Sequence, residues 1–320
     1  MERLYDVTAM GEMLIDFTLN GQSEQGNHLF EACPGGAPCN VLAMLNKLGR
    51  KTAFIGKVGE DQFGRLLKGT IDELGIETKG LILDKEIHTT LAFVHTFPDG
   101  DREFSFYRKP GADMMLTEEE VDYDLIRQSR IFHFGTLSMT DEPVRSATKK
   151  ALEVAKEAGC LITFDPNLRP PLWNSLDEAK KQMEYGFQYC DMLKISGNEI
   201  QVVSGKEDYD EGICYLQDKY NIPLIFLTMG KDGSRAYYKD IRVERKGFQV
   251  KAIETTGAGD TFCGCSIHGL LTHGLEGLTE EILGDMLTYA NAGAALITMK
   301  KGAIRSMPEP ENITKLIEEK

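Results

Sequence analysis

The run Cys160-Leu161-Ile162-Thr163-Phe164-Asp165, set against Ile131-Phe132-His133-Phe134 before it, decides the fold class. Both are short apolar runs of strand length. Residues 142–158 between them read as a helix, stopped by Gly159. Strands that are apolar on both faces are buried on both faces, and a helical connection brings the next strand back parallel. The same unit recurs toward both ends of the chain. Toward the N-terminus, Val41, Leu42, Leu45 and Leu48 fall at helical spacing before Gly49. A short apolar strand follows at 52–58, then a helix at 61–74 that ends at Gly75. Toward the C-terminus, 175–189 reads as helix, 192–195 as strand, 198–204 and 210–220 as helices, 224–229 as strand and 259–271 as helix. This alternation predicts an α/β fold with a central, mainly parallel sheet and helices on both faces.

Two regions depart from the rhythm. Residues 6–17 are apolar and end in the polar Asp16. Residues 88–97 and 102–109 are β-rich runs joined by Pro98-Asp99-Gly100-Asp101, a hairpin-turn composition. In such a hairpin Phe104, Phe106 and Arg108 share one face, and Ser105, Tyr107 and Lys109 the other. The pattern fits a lid over a site and a decorative edge hairpin equally well. No internal repeat, low-complexity tract or long linker divides the chain, so residues 1–320 read as one large domain.

The composition bounds the function. Of 320 residues, 42% are hydrophobic and 27% charged, which excludes a mainly disordered chain. The formal net charge of −14 argues against a sequence-independent grip on nucleic acid or an anionic membrane. No run of about 18 apolar residues is present, and the N-terminus lacks the apolar core of a signal peptide. Seven cysteines are scattered through the chain, which suits free thiols in a reducing compartment and predicts a cytoplasmic protein. Cys263 and Cys265 have no second ligand pair at zinc spacing.

The chemistry concentrates in Glu254-Thr255-Thr256-Gly257-Ala258-Gly259-Asp260-Thr261-Phe262. Small residues run straight into a helix. Glycines let the backbone approach a ligand, and a helix start offers unpaired N–H groups and the positive dipole end. A carboxylate placed there, Asp260, suits a group that accepts a hydroxyl proton during phosphoryl transfer. A plain N-terminal cap is the competing reading.

This segment resembles the C-terminal signature of the ribokinase-type (PfkB) carbohydrate kinase family. Gly35-Gly36-Ala37-Pro38-Cys39-Asn40, continuing to residues 56–64, resembles the family's N-terminal signature. The likeness runs over essentially the whole chain and is nearest to bacterial fructokinases. Supporting pieces are residues 11–17, Asp165-Pro166-Asn167-Leu168-Arg169 with Trp173, and Lys301-Gly302-Ala303-Ile304 before Ser306.

The resemblance implies a ribokinase-like fold, with lid strands inserted from about 12–34 and 88–112. It implies an ATP-dependent sugar kinase in which Asp260 is the base and the amides of Gly257, Ala258 and Gly259 form an anion hole. Asp16, Gly35, Gly36 and Asn40 would hold the sugar. Arg108 and Arg169 would supply positive charge near substrate and phosphate. Thr228, Gly230, Gly233 and Asn291 would line the nucleotide side. Glu199 would order water on Mg2+, and Glu254, Thr256, Gly302 and Ser306 would surround a monovalent cation, K+. Fructose is the expected sugar, with 2-keto-3-deoxygluconate and ribose as alternatives. A non-catalytic sugar-binding regulator on the same fold is the alternative from another class. A homodimer through the lid is expected. Walker, protein-kinase and dinucleotide signatures are absent from the sequence, and the six histidines form no zinc pattern.

Overall fold

A computed structural model describes residues 3–96 and 102–319. Among the described residues, nine strands form one sheet in the order Ile241–Arg245, Ser234–Tyr238, Leu224–Thr228, Met192–Ser196, Leu161–Phe164, Ser129–Phe134, Tyr5–Met10, Thr52–Gly59 and Glu77–Asp84. Only Ser234–Tyr238 runs against the rest. The strand interiors are apolar because helices cover both faces. Helices Ala37–Lys47, Gln62–Glu73, Ala258–His273 and Glu280–Ile297 pack on one face around Leu42, Ile71, Phe262 and Leu287. Helices Val144–Glu157, Leu176–Phe187, Gly197–Ser204 and Tyr209–Tyr220 pack on the other around Leu152, Met183, Val203 and Leu216. Phe134 and Phe164 stack at 4.4 Å in the second core. No described helix is long and apolar enough to cross a membrane.

Strand Tyr5–Met10 has Thr52–Gly59 on one side and Ser129–Phe134 on the other. The connections diverge there, and in open α/β sheets ligands bind outside the carboxyl ends of the strands at such a point. The apolar stretch 6–17 is not continuous. It breaks at Gly11-Glu12-Met13, and Leu14–Gln22 leaves for a second sheet. That sheet has the order His28–Gly35, Leu14–Gln22, Leu91–Thr96, Arg102–Tyr107. Its register puts Asp16, Ala92 and Phe106 on one face and Phe17, Phe93 and Ser105 on the other. The expected turn at 98–101 lies outside the described residues.

Four segments of the described chain join the two sheets, and polar groups tie them in pairs. Glu12 Oε1 accepts from the Ala37 N–H at 2.8 Å, joining the first crossing to the second. Asp113 accepts from the Thr90 hydroxyl and, at 2.7 Å, from Arg108 Nε, joining the third to the fourth. The remaining Arg108 nitrogens donate to Thr140 Oγ1 and the Leu137 carbonyl, each at 2.9 Å. Arg108 is 5% exposed and its partner Asp113 4%. The arginine expected at the substrate is therefore a structural anchor of the small sheet. Replacing Arg108 with Leu is expected to cost about 3–5 kcal/mol, because it strands a buried carboxylate. Removing both charges in Arg108→Leu/Asp113→Leu is expected to cost less, as read from urea unfolding of the two variants.

Candidate active site

The strand ends and the small sheet enclose a cavity of about 710 Å³, within the range of small-molecule sites. Asp16, Gly36, Asn40, Arg169, Glu199, Thr256, Gly257, Gly259 and Asp260 all line it. Gly35 lies close beside Asp16: a Cβ there would lie 2.5 Å from Asp16 Oδ2, so a larger residue would displace that carboxylate. Gly36 has φ 120°, and a Cβ there would meet the Glu12 carbonyl oxygen at 2.4 Å. The resulting close turn starts helix Ala37–Lys47 and aims Asn40 at the opposite motif.

Asn40 Nδ2 donates to Asp260 Oδ2 at 2.7 Å. The other amide atom, Asn40 Oδ1, is buried without a hydrogen-bond partner. A buried acceptor left open beside a cavity suits a ligand hydroxyl. Asp260 is 9% exposed. Burial raises its pKa above the ordinary carboxylate value, while the Asn40 hydrogen bond, Lys194 and Arg169 pull it back.

Gly257 has φ 78° and caps helix Ala258–His273 with no side-chain partner. The Ala258 N–H donates to the Thr255 carbonyl at 3.2 Å, so this amide is not free for an anion as expected. The Gly257, Gly259 and Asp260 amides have no backbone acceptor among the described residues.

Two charged residues of this cavity escaped the sequence reading. Lys194 lies in an otherwise apolar strand, and a Cβ on Gly259 would sit 3.1 Å from its Nζ. It pairs with Asp165 at 3.0 Å. Burial works against its charge, but Asp165 and Glu199 outweigh that and raise its pKa, so it stays protonated. A lysine inside an apolar strand just before the Ser196–Glu199 element was the available signal. Glu12 also lines the cavity. Its signal was a carboxylate in the only break of an apolar stretch.

Glu199 accepts from Leu168 N at 2.8 Å and from Ser196 N and Oγ at 2.8 and 2.7 Å. Ser196 and Glu199 form a reciprocal cap on helix Gly197–Ser204. Thr228 pairs in register with Ser196, which extends the same sheet edge beyond the cavity. Gly230 opens the next turn. Gly233 has φ 112°, and a Cβ there would strike the Arg245 carbonyl at 2.1 Å. Asn291, expected on the nucleotide side, has both ends of its amide engaged by the protein. Its Oδ1 accepts from Ser234 Oγ at 2.9 Å, and its Nδ2 donates to the Arg245 and Lys246 carbonyls. Next to the Gly257 turn, Glu254 accepts from the Thr256 hydroxyl and, at 3.1 Å, from Gly302 N. Ser306 Oγ donates to the Lys301 carbonyl, closing a nest of oxygen atoms.

One cavity thus holds a carboxylate from the small sheet, Asp16, and a second at a glycine-rich helix start, Asp260. A family model described as pfkB family carbohydrate kinase matches residues 5–310. A probable fructokinase-2 of Arabidopsis thaliana is 42% identical over 304 residues, covering 94% of this chain and 92% of the relative. Fructokinase-2 of Solanum lycopersicum is 43% identical over 308 residues, covering 94% and 93%. Among solved structures, a double mutant of the Vibrio cholerae O395 fructokinase, with fructose, ADP and potassium ion bound, superposes with a TM-score of 0.88. It is 28% identical and covers 99% of both chains. The chain belongs to the pfkB family of carbohydrate kinases.

The Asn40–Asp260 bond generates a testable sign. It favours the ionised carboxylate, so Asn40→Ala is expected to move the Asp260 titration to higher pH. Carboxyl carbon shifts followed by NMR check this directly, and an unmoved titration would contradict it.

Proposed function

We propose that this protein is an ATP-dependent fructokinase, forming fructose 6-phosphate and ADP. One observation carries the reading: Asp16 and Asn40 meet Asp260 in a single cavity, at the start of a helix with open amides. Two relatives at 42% and 43% identity named as fructokinases support the sugar. The position of Arg108 supports a neutral sugar over a sugar acid, because its charge is already matched by Asp113.

In this reading Asp16 binds two sugar hydroxyls, and Gly35 and Gly36 keep the backbone close to them. Ionised Asp260 accepts the O6 proton as O6 attacks the γ-phosphorus and the bond to ADP breaks. A loose transition state asks little basicity of it, and positioning dominates. The Gly257 and Gly259 amides, Lys194 and Arg169 face the charge that develops on the transferred group. Magnesium bound with ATP would further neutralise the phosphates. The Glu199 carboxylate is turned to its helix start, so it fits contact with that ion through water. Glu254, Thr256, Gly302 and Ser306 supply hard oxygens and a turn that fit potassium. Thr228, Gly230 and Gly233 flank the nucleotide, with Asn291 holding their support loop.

The seven thiols, all free and six buried, support a cytoplasmic setting. The small sheet exposes Leu19, Leu29, Phe30 and Tyr107, and Phe30 and Tyr107 both pack on Phe93. This apolar face supports a homodimer through paired lids. Light scattering at micromolar concentration is expected to give twice the chain mass, and a monomer would refute it.

Asp260→Asn is expected to lower ADP release with fructose and Mg-ATP by roughly 100- to 10,000-fold while sugar binding persists. Turnover is to be compared across fructose, ribose, 2-keto-3-deoxygluconate, glucose and adenosine, with and without potassium. Preference for another sugar would overturn the fructose assignment. Sugar binding without turnover in the unaltered protein would favour a non-catalytic role.

A further inference from the structure

Helix Ala37–Lys47 begins with Gly36, which has no side chain to cap it, and no acidic residue occupies its first turn. Pro38 has no N–H to satisfy. The Ala37 N–H is held instead by Glu12, from the break between strands Tyr5–Met10 and Leu14–Gln22, at 2.8 Å. The same turn carries Asn40 to Asp260. Glu12 also sits in the break between the large sheet and strand Leu14–Gln22, which carries Asp16. It is 3% exposed. One carboxylate thus touches the joint that sets the lid strand and the helix start that sets the partner of the base.

We propose that Glu12 is a positioning residue for the kinase reaction: by holding the Ala37 N–H it fixes Asn40 and Asp16 relative to each other, and its charge state tunes sugar affinity. The proposal rests on the sugar-kinase reading above. An anion is favoured at a helix N-terminus. Burial opposes it more strongly and, with Glu12's own N–H, the Ala37 amide and Arg108 pulling down and Asp113 pushing up, the Glu12 pKa stands at about 7. The groups that face it are Arg108 and Asp113 behind the crossing and Cys39 on the capped helix, while Asp16, Asp260, Lys194 and Arg169 share its cavity. Below neutrality Glu12 gains a proton, its hold on the amide weakens, and the helix start loosens. Above neutrality the ionised form locks it.

The test is a pH series of the unaltered protein and Glu12→Gln, with KM and kcat for fructose at saturating ATP. In the unaltered protein KM is expected to rise roughly 5- to 10-fold from pH 8 to pH 6, the scale of weakening a hydrogen bond to a charged group. Glu12→Gln is expected to keep a raised KM at every pH with that slope removed, and kcat to change less than KM. An unchanged slope in Glu12→Gln, or a KM equal to the unaltered protein's at pH 8, would overturn the proposal. The Ala37 amide proton shift reads the same contact without substrate. It is expected to titrate near neutral pH in the unaltered protein and to stay flat in Glu12→Gln. A flat Ala37 signal in the unaltered protein would refute the proton-linked role. If fructose is not turned over, the sugar assignment fails while the amide titration still decides the role of Glu12.

Discussion

Asn40 and Asp260 stand 220 residues apart in sequence and 2.7 Å apart in space. The bond between them constrains both glycine-rich turns at once. Helix Ala37–Lys47 has to start where Gly36 lets the backbone pass against Glu12, and helix Ala258–His273 has to start at the left-handed Gly257. A shift at either turn separates amide from carboxylate. Both helices pack on the same core, around Leu42 and Phe262, which makes such accuracy attainable. Close-packed interiors transmit small displacements instead of absorbing them.

Buried charge is organised around that bond with little surplus. Lys194 faces Asp165 and Glu199, and Arg108 faces Asp113. Each pair carries a desolvation cost that nearly cancels its attraction, so pairs of this kind contribute location more than stability. Lys194 places a cation under Gly259, and Arg108 pins the small sheet to the loop that carries Leu137. Asp260 is left in the mixed field that results, raised by burial and lowered by its neighbours.

What could be read in the sequence follows from the range of the forces involved. The two glycine-rich turns were legible because Gly36 and Gly257 each take a positive φ, a local demand that only glycine meets at little cost, although the crowding at Gly35 and Gly36 comes from Asp16 and Glu12, farther off in sequence. Buried parallel strands were legible because a strand covered on both faces leaves an unbroken apolar run. Strand Ile241–Arg245 was not, since only Val243 of its five residues is buried. The scaffold bonds of Arg108 and Asn291 were not legible for one reason. Whether a polar side chain serves a ligand or the scaffold depends on partners that other segments bring, here Asp113 and Ser234. Lys194 and Glu12 left only a faint local signal, for the converse reason. Their neighbours are contributed by distant elements, and only burial makes their charge matter.

The charge distribution of the cavity also shapes how a nucleotide arrives. The whole chain is strongly anionic, and Glu12, Asp16, Glu199 and Asp260 line the cavity against two cations, Lys194 and Arg169. A polyanion therefore meets repulsion over the Debye length of about 8 Å at physiological ionic strength, with no long-range steering. Attraction begins only at contact, where the helix-start amides and Lys194 come within reach. On this charge pattern, the field around the chain adds nothing to a polyanion's encounter, and contacts inside the cavity carry its selection.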